Sequence, residues 1–323
     1  MKKIVVIGGG TGTFVVLSGL KKYTKDISAI VNMSDNGRST GRLRDELGVL
    51  PPGDIRSCLV ALSETELLRD LFNYRFQEGR GLKGHNFGNL FLTALEKITG
   101  NFERAVEQAA KVLAIEGEVI PSTTQNVHLY ARLENGQEIK GQAQIDKPRH
   151  NGNLKIEKVW LRPKAHSTKR ALRALREADL IVIGPGDLYT SIIPNFLVEG
   201  IVSAIRRSSA RKIYICNLMT KFGETNNFSV QDFAAVIEKY LGRGILNYVI
   251  FNEEAFPKKL FKAYSEEKKF PVEFHLEKKR GNLKYLGANL ISHKTLIRHD
   301  SDKLARIILN ILHQDDNLKV REY

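Results

Sequence analysis

The run Gly8-Gly9-Gly10-Thr11-Gly12-Thr13 has the composition of a phosphate cradle. Glycine lacks a Cβ, so backbone can approach an anion closely. A helix N-terminus just beyond would add free N–H groups and a positive dipole end. Gly9, Gly10, Thr11, Gly12 and Thr13 are therefore candidate ligand contacts. The run is not the dinucleotide fingerprint, because Thr13 stands where the third glycine of G-x-G-x-x-G would fall. Nor is it a P-loop, because no Lys-Ser/Thr pair follows. A plain strand-to-helix turn is the competing reading. A second loop, Gly184-Pro185-Gly186-Asp187-Leu188-Tyr189-Thr190-Ser191, offers Gly184, Gly186, Thr190 and Ser191 in the same way. Two such loops after two apolar strands converge on one crevice in an open parallel sheet. A third segment, Asn217-Leu218-Met219-Thr220 onward to Gly223-Glu224-Thr225, places Asn217 to hydrogen-bond a base or sugar, with Thr220 beside it. An ordinary polar loop explains that segment equally well.

Asp35-Asn36-Gly37-Arg38-Ser39-Thr40-Gly41-Arg42 combines an acid, hydroxyls and arginines. Asp35 could bind a ribose hydroxyl or a hard cation such as Mg²⁺, with Asn36 adjacent, and Arg42 could grip a phosphate. An Asx-turn and helix cap with surface arginines competes with this. Asp54 follows Pro51-Pro52-Gly53, a rigid turn that could fix a carboxylate near Asp35, or could simply cap the helix from Ile55. Asp35 and Asp54 are the candidate metal ligands, with phosphate oxygens and water completing a Mg²⁺ shell. Gly84-His85-Asn86-Phe87-Gly88-Asn89 opens another helix, and His85, Asn86 and Asn89 could face the same cleft. No His-x-x-x-His or Cys-x-x-Cys spacing supports a zinc site, and no Gly-x-Ser-x-Gly supports a hydrolase triad.

The elements that would carry these residues alternate. Ile4 to Ile7 is an unbroken β-branched run, as in a strand buried on both faces, and Phe14 to Leu20 is helix-like. Ile27 to Met33 reads as a second strand, completing a βαβ unit. Ile55 to Leu62, Glu64 to Phe76, Phe87 to Ile98 and Phe102 to Leu113 have helical spacing. The period then becomes two: Val127, Leu129, Ala131 and Leu133, then Ile139, Ala143 and Ile145, flank the hairpin turn Asn135-Gly136. An antiparallel β insertion is therefore expected from about Glu116 to Pro163. Strands at Leu180 to Ile183, Ile213 to Cys216 and Ile245 to Phe251 then alternate with helices at Phe196 to Ile205 and Val230 to Leu241. Lys258 to Lys284 reads as a solvated surface stretch, and Lys303 to Leu312 as a closing helix. The expected fold is α/β: a Rossmann-like, mostly parallel sheet with helices on both faces, formed by residues 1–323 as a single nucleotide-binding domain with its β-rich insertion.

The remaining features narrow the class. Lys and Arg number 50 against 36 Asp and Glu, giving a net charge of +14 that suits phosphorylated partners. Cys58 and Cys216 are too few for a disulfide framework and sit among apolar neighbours. No apolar run is long enough for a signal peptide or a membrane span, so a cytoplasmic location is expected. The expected partner is a small-molecule nucleotide ligand. No helix-turn-helix, RNP-type or zinc motif points to nucleic acid. Self-association into a homo-oligomer stays open, and no downstream protein partner is legible.

In order along the chain, GGGTGT, SDNGRSTGRLRDELGVLPPGDIRSCLVAL, GHNFGNLFLTAL, GPGDLYTSIIPN, CNLMTKFGET and Ile297-Arg298-His299-Asp300 resemble the gluconeogenesis factor family. That family is related to 2-phospho-L-lactate transferase within the CofD-like superfamily. The resemblance runs from about Lys3 to Arg306, and the long motif containing PPGDIR is its most specific part. It implies a Rossmann-like core, with nucleotide sugars such as UDP-N-acetylglucosamine as the ligand class. It also implies a role in cell shape and in growth on gluconeogenic carbon sources, by ligand-binding regulation and not a defined reaction. The transferase branch implies a divalent cation near Asp35 and Asp54. Three departures stand out. The usual Asp-Asp pair reads Asp35-Asn36, the usual Gly-Pro-Gly-Ser ends in Asp187, and the usual Thr-Gln-Pro-Gly-Glu-Thr reads Thr220-Lys221-Phe222-Gly223-Glu224-Thr225.

Two functions follow as expectations: a nucleotide-sugar-binding regulator, or a Mg²⁺-dependent transferase moving a phosphate-linked group from a nucleotide donor. A nicotinamide-dependent oxidoreductase is disfavoured by Thr13. Valine at Gly10 or Gly12 is expected to abolish binding while leaving the fold, by filling the phosphate's space. Arg298 either pairs with Asp300 or Asp302 in solvent, or folds back over the crevice to meet a diphosphate or sugar.

Overall fold

The computed structural model describes residues 2–256, 258–275, 282–292, 296–313 and 321–323. The chain opens with β1 (Ile4–Gly8), α1 (Gly10–Leu20) and β2 (Ile27–Val31). Helices α2 (Arg38–Leu47), α3 (Gly53–Leu62), α4 (Glu66–Asn73), α5 (Phe87–Thr99) and α6 (Phe102–Val112) follow, then β3 (Glu118–Pro121). Next come β4 (His128–Leu133), β5 (Glu138–Lys140), α7 (Gln142–Asp146) and β6 (Ile156–Arg162). The βα rhythm resumes with α8 (Lys169–Glu177), β7 (Leu180–Ile183), a π-helical turn (Leu188–Ile192), α9 (Ile193–Phe196), α10 (Ile201–Arg207) and β8 (Arg211–Ile215). It closes with α11 (Val230–Leu241), β9 (Tyr248–Asn252), α12 (Lys258–Glu266), β10 (Lys284–Ala288), α13 (Ser301–His313) and β11 (Arg321–Glu322).

Eight strands form the main sheet in the order β11-β10-β9-β8-β7-β1-β2-β3, parallel throughout except for the β10–β11 edge pair. Side chains alternate across a strand, so each β1 residue serves one of two cores. Ile4 and Val6 join Ala29, Val31, Val182 and Ile213 on one face; Val5 and Ile7 join Ile30, Ile181, Ile183 and Tyr214 on the other. Helix α1 lies between the sheet and helices α3 and α13. That burial explains why α1 is apolar on all sides and not striped. Local chemistry sets the helix ends. Asn101 accepts from Arg104 N, Thr168 accepts from Ala171 N, and Ser229 with Asp232 forms a capping box. Chain order runs outward from β1 through β2 and β3 on one side and through β7, β8 and β9 on the other. The strand order therefore reverses beside β1, where open α/β sheets bind ligands beyond the carboxyl ends of their strands.

The expected α/β fold, mostly parallel sheet and antiparallel insertion are all present. Element ends shift by a few residues, and three differences from the sequence reading change the architecture. β3 pairs with β2 in the main sheet, so only β5-β4-β6 form the separate antiparallel sheet. Gly141, at φ +100°, ends β5, and the chain coils into α7; Ala143 and Ile145 are helical, not strand residues. The expected helix from Phe196 to Ile205 is split into α9 and α10 by Gly200, at φ +98°. The Lys258 to Lys284 stretch contains α12 and the start of β10; residues 276–281 of it lie outside the described residues.

Candidate functional site

A crevice of about 480 Å³ opens at the carboxyl ends of β1, β2, β7 and β8. That volume is in the range of small-molecule sites. Its floor is the first turn of α1. Gly10 sits at φ +64°, and a Cβ there would have only Ser191 Oγ nearby, at 3.9 Å, so its bare backbone faces the opening. Gly9 and Gly12 are glycine for other reasons. A Cβ on Gly9 would lie 2.4 Å from Asp54 Oδ2, and one on Gly12 would lie 2.1 Å from the Pro185 carbonyl oxygen. The two glycine loops are thus packed backbone to backbone. This corrects the expectation for Gly12: protein, not open space, occupies the room its side chain would take.

Asp54 is on the first turn of α3, yet its carboxylate accepts from Gly10 N–H at the start of α1. It therefore caps a helix, but not its own. Asp35 also lines the crevice, accepting from Gly37 N at 2.9 Å and from the Thr40 hydroxyl. Neither acid has an ion-pair partner among the described residues. Burial, and then the charge of Asp35, push Asp54 up to about 7. Burial raises Asp35 as well. Arg44 and Arg56 offset these shifts only in part and from beyond ion-pair distance, so two neighbouring carboxylates remain as a donor set for a hard cation. A pH prediction follows. Unfolded, Asp54 would titrate near about 3.9. The folded protein binds the extra proton, so this group makes stability fall as pH rises from about 4 to about 7. Asp54→Asn should flatten the parent's stability–pH curve in that window, read by denaturant melts. A curve parallel to the parent's would show that Asp54 is solvated.

The second wall joins three segments. The Lys221 ammonium lies against Asp146 of α7 and Asp187 of the second glycine loop, and 3.4 Å from Glu224 Oε1. Burial alone would lower the Lys221 pKa, but Glu224, Asp187 and Asp146 together raise it. Glu224 is buried and accepts from Tyr189 N at 3.1 Å and Thr190 Oγ1 at 3.0 Å; burial lifts it to about 7. Oxygens of Asp146, Asp187 and Glu224 lie within 4.8 Å of one another, a spacing that would suit a metal ion. Here the lysine ammonium already supplies the cation. The contact between Lys221 and Asp187, left open by sequence, is made.

The remaining candidates divide. Gly9, Gly10, Thr11, Gly12, Asp35, Asp54, Gly186, Ser191, Asn217, Thr220 and Arg298 line the crevice, while Gly184 lies beneath it at φ +75°. Asn217 Oδ1 holds Gly186 N at 3.0 Å, and Thr220 Oγ1 accepts from Phe270 N. Six others turn to protein partners. Thr13 bonds Gly9 O, Thr190 bonds Glu224, Asn36 Oδ1 accepts from Ala143 N, and Asn86 donates to Asn73 O. His85 Nδ1 pairs with Ser39 Oγ, and Asn89 accepts from Arg56 Nε. Arg42 is exposed and donates to Lys83 O, away from the crevice, so the reading of it as a phosphate grip is corrected.

Arg298 is carried to the crevice by its neighbours. His299 is buried with Nε2 3.2 Å from Cys216 O, and burial holds it down to about 4, so it stays neutral near pH 7. Ser292 N bonds Arg298 O at 2.8 Å, and Ile297 N bonds the Tyr264 hydroxyl. Asp300 caps α13, and Asp302 pairs with Lys22. Arg298 has no ion-pair partner among the described residues. Sequence reading missed Gln142, Tyr264 and Lys269, which also line the site. Tyr264 and Lys269 lie in the stretch read as solvated surface, and no local pattern marks Gln142.

A family model described as 2-phospho-L-lactate transferase CofD matches residues 4–296. The gluconeogenesis factor of Halalkalibacterium halodurans is 43% identical over 316 residues, covering 95% of this chain and 96% of that protein. The gluconeogenesis factor of Bacillus subtilis is 41% identical over 314 residues, covering 96% and 98%. A crystal structure of a Bacillus halodurans protein superposes with a TM-score of 0.90 at 41% identity, covering 95% of this chain and 99% of that one. A second crystal structure of that same protein, described as a UPF0052 family member, gives 0.89 at 40% identity, covering 96% and 100%.

Proposed function

The chain belongs to the CofD family, alongside the bacterial gluconeogenesis factors, and from that premise we propose that it is a cytoplasmic regulator that binds a UDP-type nucleotide sugar. Through that ligand it acts on cell shape and on growth with gluconeogenic carbon. No helix among the described residues is long and apolar enough to cross a membrane. The observation that carries the ligand class is the bare Gly10 backbone at the start of α1, in a crevice that Arg298 and Lys269 also line. Helix-terminal N–H groups and a guanidinium fork are the donors a diphosphate uses. Leu218, Met219 and Tyr264 give one end an apolar wall suited to a base. Asp35 and Gln142 give the other end polar groups suited to sugar hydroxyls.

Asp35 and Asp54 would hold a divalent cation, which would supply positive charge against the diphosphate. Two acids together in the crevice, neither making an ion pair among the described residues, favour the second reading, a Mg²⁺-dependent transferase of a phosphate-linked group. Isothermal titration with UDP-N-acetylglucosamine, with Mg²⁺ and with EDTA, tests both. Binding that survives EDTA with no product supports the regulator; binding that needs Mg²⁺, with product formed, supports the transferase. Arg298→Ala should weaken binding roughly tenfold to a hundredfold, about 1.5–3 kcal/mol, with an unchanged melting temperature. Parental affinity in that variant would return Arg298 to the solvated surface.

A further inference from the structure

Helix α7 belongs to the insertion, yet it is fastened to the crevice at both ends. At its start, Ala143 N donates to Asn36 Oδ1 at 2.8 Å. Gly141 N bonds Leu129 O at 2.7 Å, tying the same turn to β4. Gly141 is at φ +100°, and a Cβ there would lie 2.8 Å from Asn36 Nδ2, so the junction admits no side chain. At its end, Asp146 meets the buried Lys221 ammonium. Between these fixings Gln142 is half-buried on the crevice wall. Its Oε1 is 4.0 Å from the position a Gly37 Cβ would take, on the Asp35 side. Its amide has no hydrogen-bond partner among the described residues. A primary amide offers two donors and an acceptor in one plane. Held on a doubly pinned helix, it costs little ordering when a ligand arrives.

We propose that Gln142 reads the sugar of the bound nucleotide sugar, and that α7 is the element that aims it. This rests on the nucleotide-sugar reading above. The assignment to the sugar follows from position. The α1 N-terminus fixes the diphosphate at β1, the apolar wall beyond β8 takes the base, and Gln142 stands on the opposite side, beside β2.

Calorimetric titration of parent and Gln142→Ala with UDP-N-acetylglucosamine and with UDP tests it. The variant should bind the UDP-sugar roughly tenfold more weakly and UDP within about twofold of the parent, a discrimination expected when a hydroxyl-reading amide is lost. Gln142→Met, which keeps the length but not the amide, should behave alike and serves if the alanine variant melts early. Equal loss on both ligands, or none on either, overturns the assignment. So does a loss that vanishes in EDTA, since Gln142 would then act through a cation. If the parent binds neither ligand, the nucleotide-sugar reading itself falls and takes this proposal with it. If the parent binds and the variants bind equally well, only the proposal falls.

Discussion

Lys221→Met should destabilise the protein by about 3 kcal/mol at pH 8, and by distinctly less at pH 5.5. Removing one partner of a buried ion pair leaves uncompensated charge, with typical costs of about 3–5 kcal/mol. The lower end applies because Asp187 keeps 36% of its side chain exposed and water screens it. The Lys221 pKa is raised on folding, so its stabilising contribution is complete below the unfolded value of about 10.5. It is fully present across the tested range, and the pH dependence comes from Glu224. Without the ammonium, Glu224 loses the positive charge that opposes its burial and keeps the negative neighbours Asp187 and Asp146, so its folded pKa rises further above its unfolded one. The resulting penalty is present at high pH and relieved as pH falls and Glu224 protonates. Chemical denaturation of parent and variant at both pH values measures it. A variant as stable as the parent at pH 8 would mean that the acids turn out to solvent.

Gly12→Val should cost about 3 kcal/mol of fold stability as well as abolishing ligand binding, whereas Gly10→Ala should mainly abolish binding. The Cβ of residue 12 would meet the Pro185 carbonyl oxygen at 2.1 Å and its carbon at 2.6 Å. Both are backbone atoms, so relief requires the two loops to separate, an overpacking penalty at the upper end of its range. At residue 10 the nearest atom is 3.9 Å away, and the cost is the left-handed φ of +64°, about 1–2 kcal/mol for an L-residue. Its methyl would stand where a phosphate must approach. Denaturant melts and calorimetry on both variants separate the effects. A Gly12→Val protein as stable as the parent would contradict the backbone contact, and a Gly10→Ala protein that binds normally would remove the α1 turn from the site.

The strands and glycine turns were legible because their determinants are local. Ile4 to Ile7 and Leu180 to Ile183 can be buried on both faces only inside a parallel sheet, and the glycines follow each directly. The hairpin at Asn135-Gly136 was legible for the same reason, with Gly136 at φ +86°. Position 12 was misread because its constraint comes from Pro185, more than 170 positions along the chain. Asn36, His85 and Asn89 have ligand-like chemistry, but their hydrogen bonds are made across helix packing that spacing cannot reveal. Asp187 and Lys221 stood out as odd charges in sequence; only the fold shows each as the other's partner. Gln142 gives no signal, since an amide in a polar stretch looks like surface until α7 is pinned beside Asp35.

Titration of the parent protein with UDP-N-acetylglucosamine, beside Gly10→Ala, tests the central claim most directly. A nucleotide sugar seated on the bare turn of α1 should give saturable heat with the parent and no measurable binding with the variant, while both melt within the few degrees that strain at one residue costs. A ligand at a thousand times its Kd should also raise parental stability by about 4 kcal/mol. No heat with the parent, or equal affinity in the two proteins, would contradict the account.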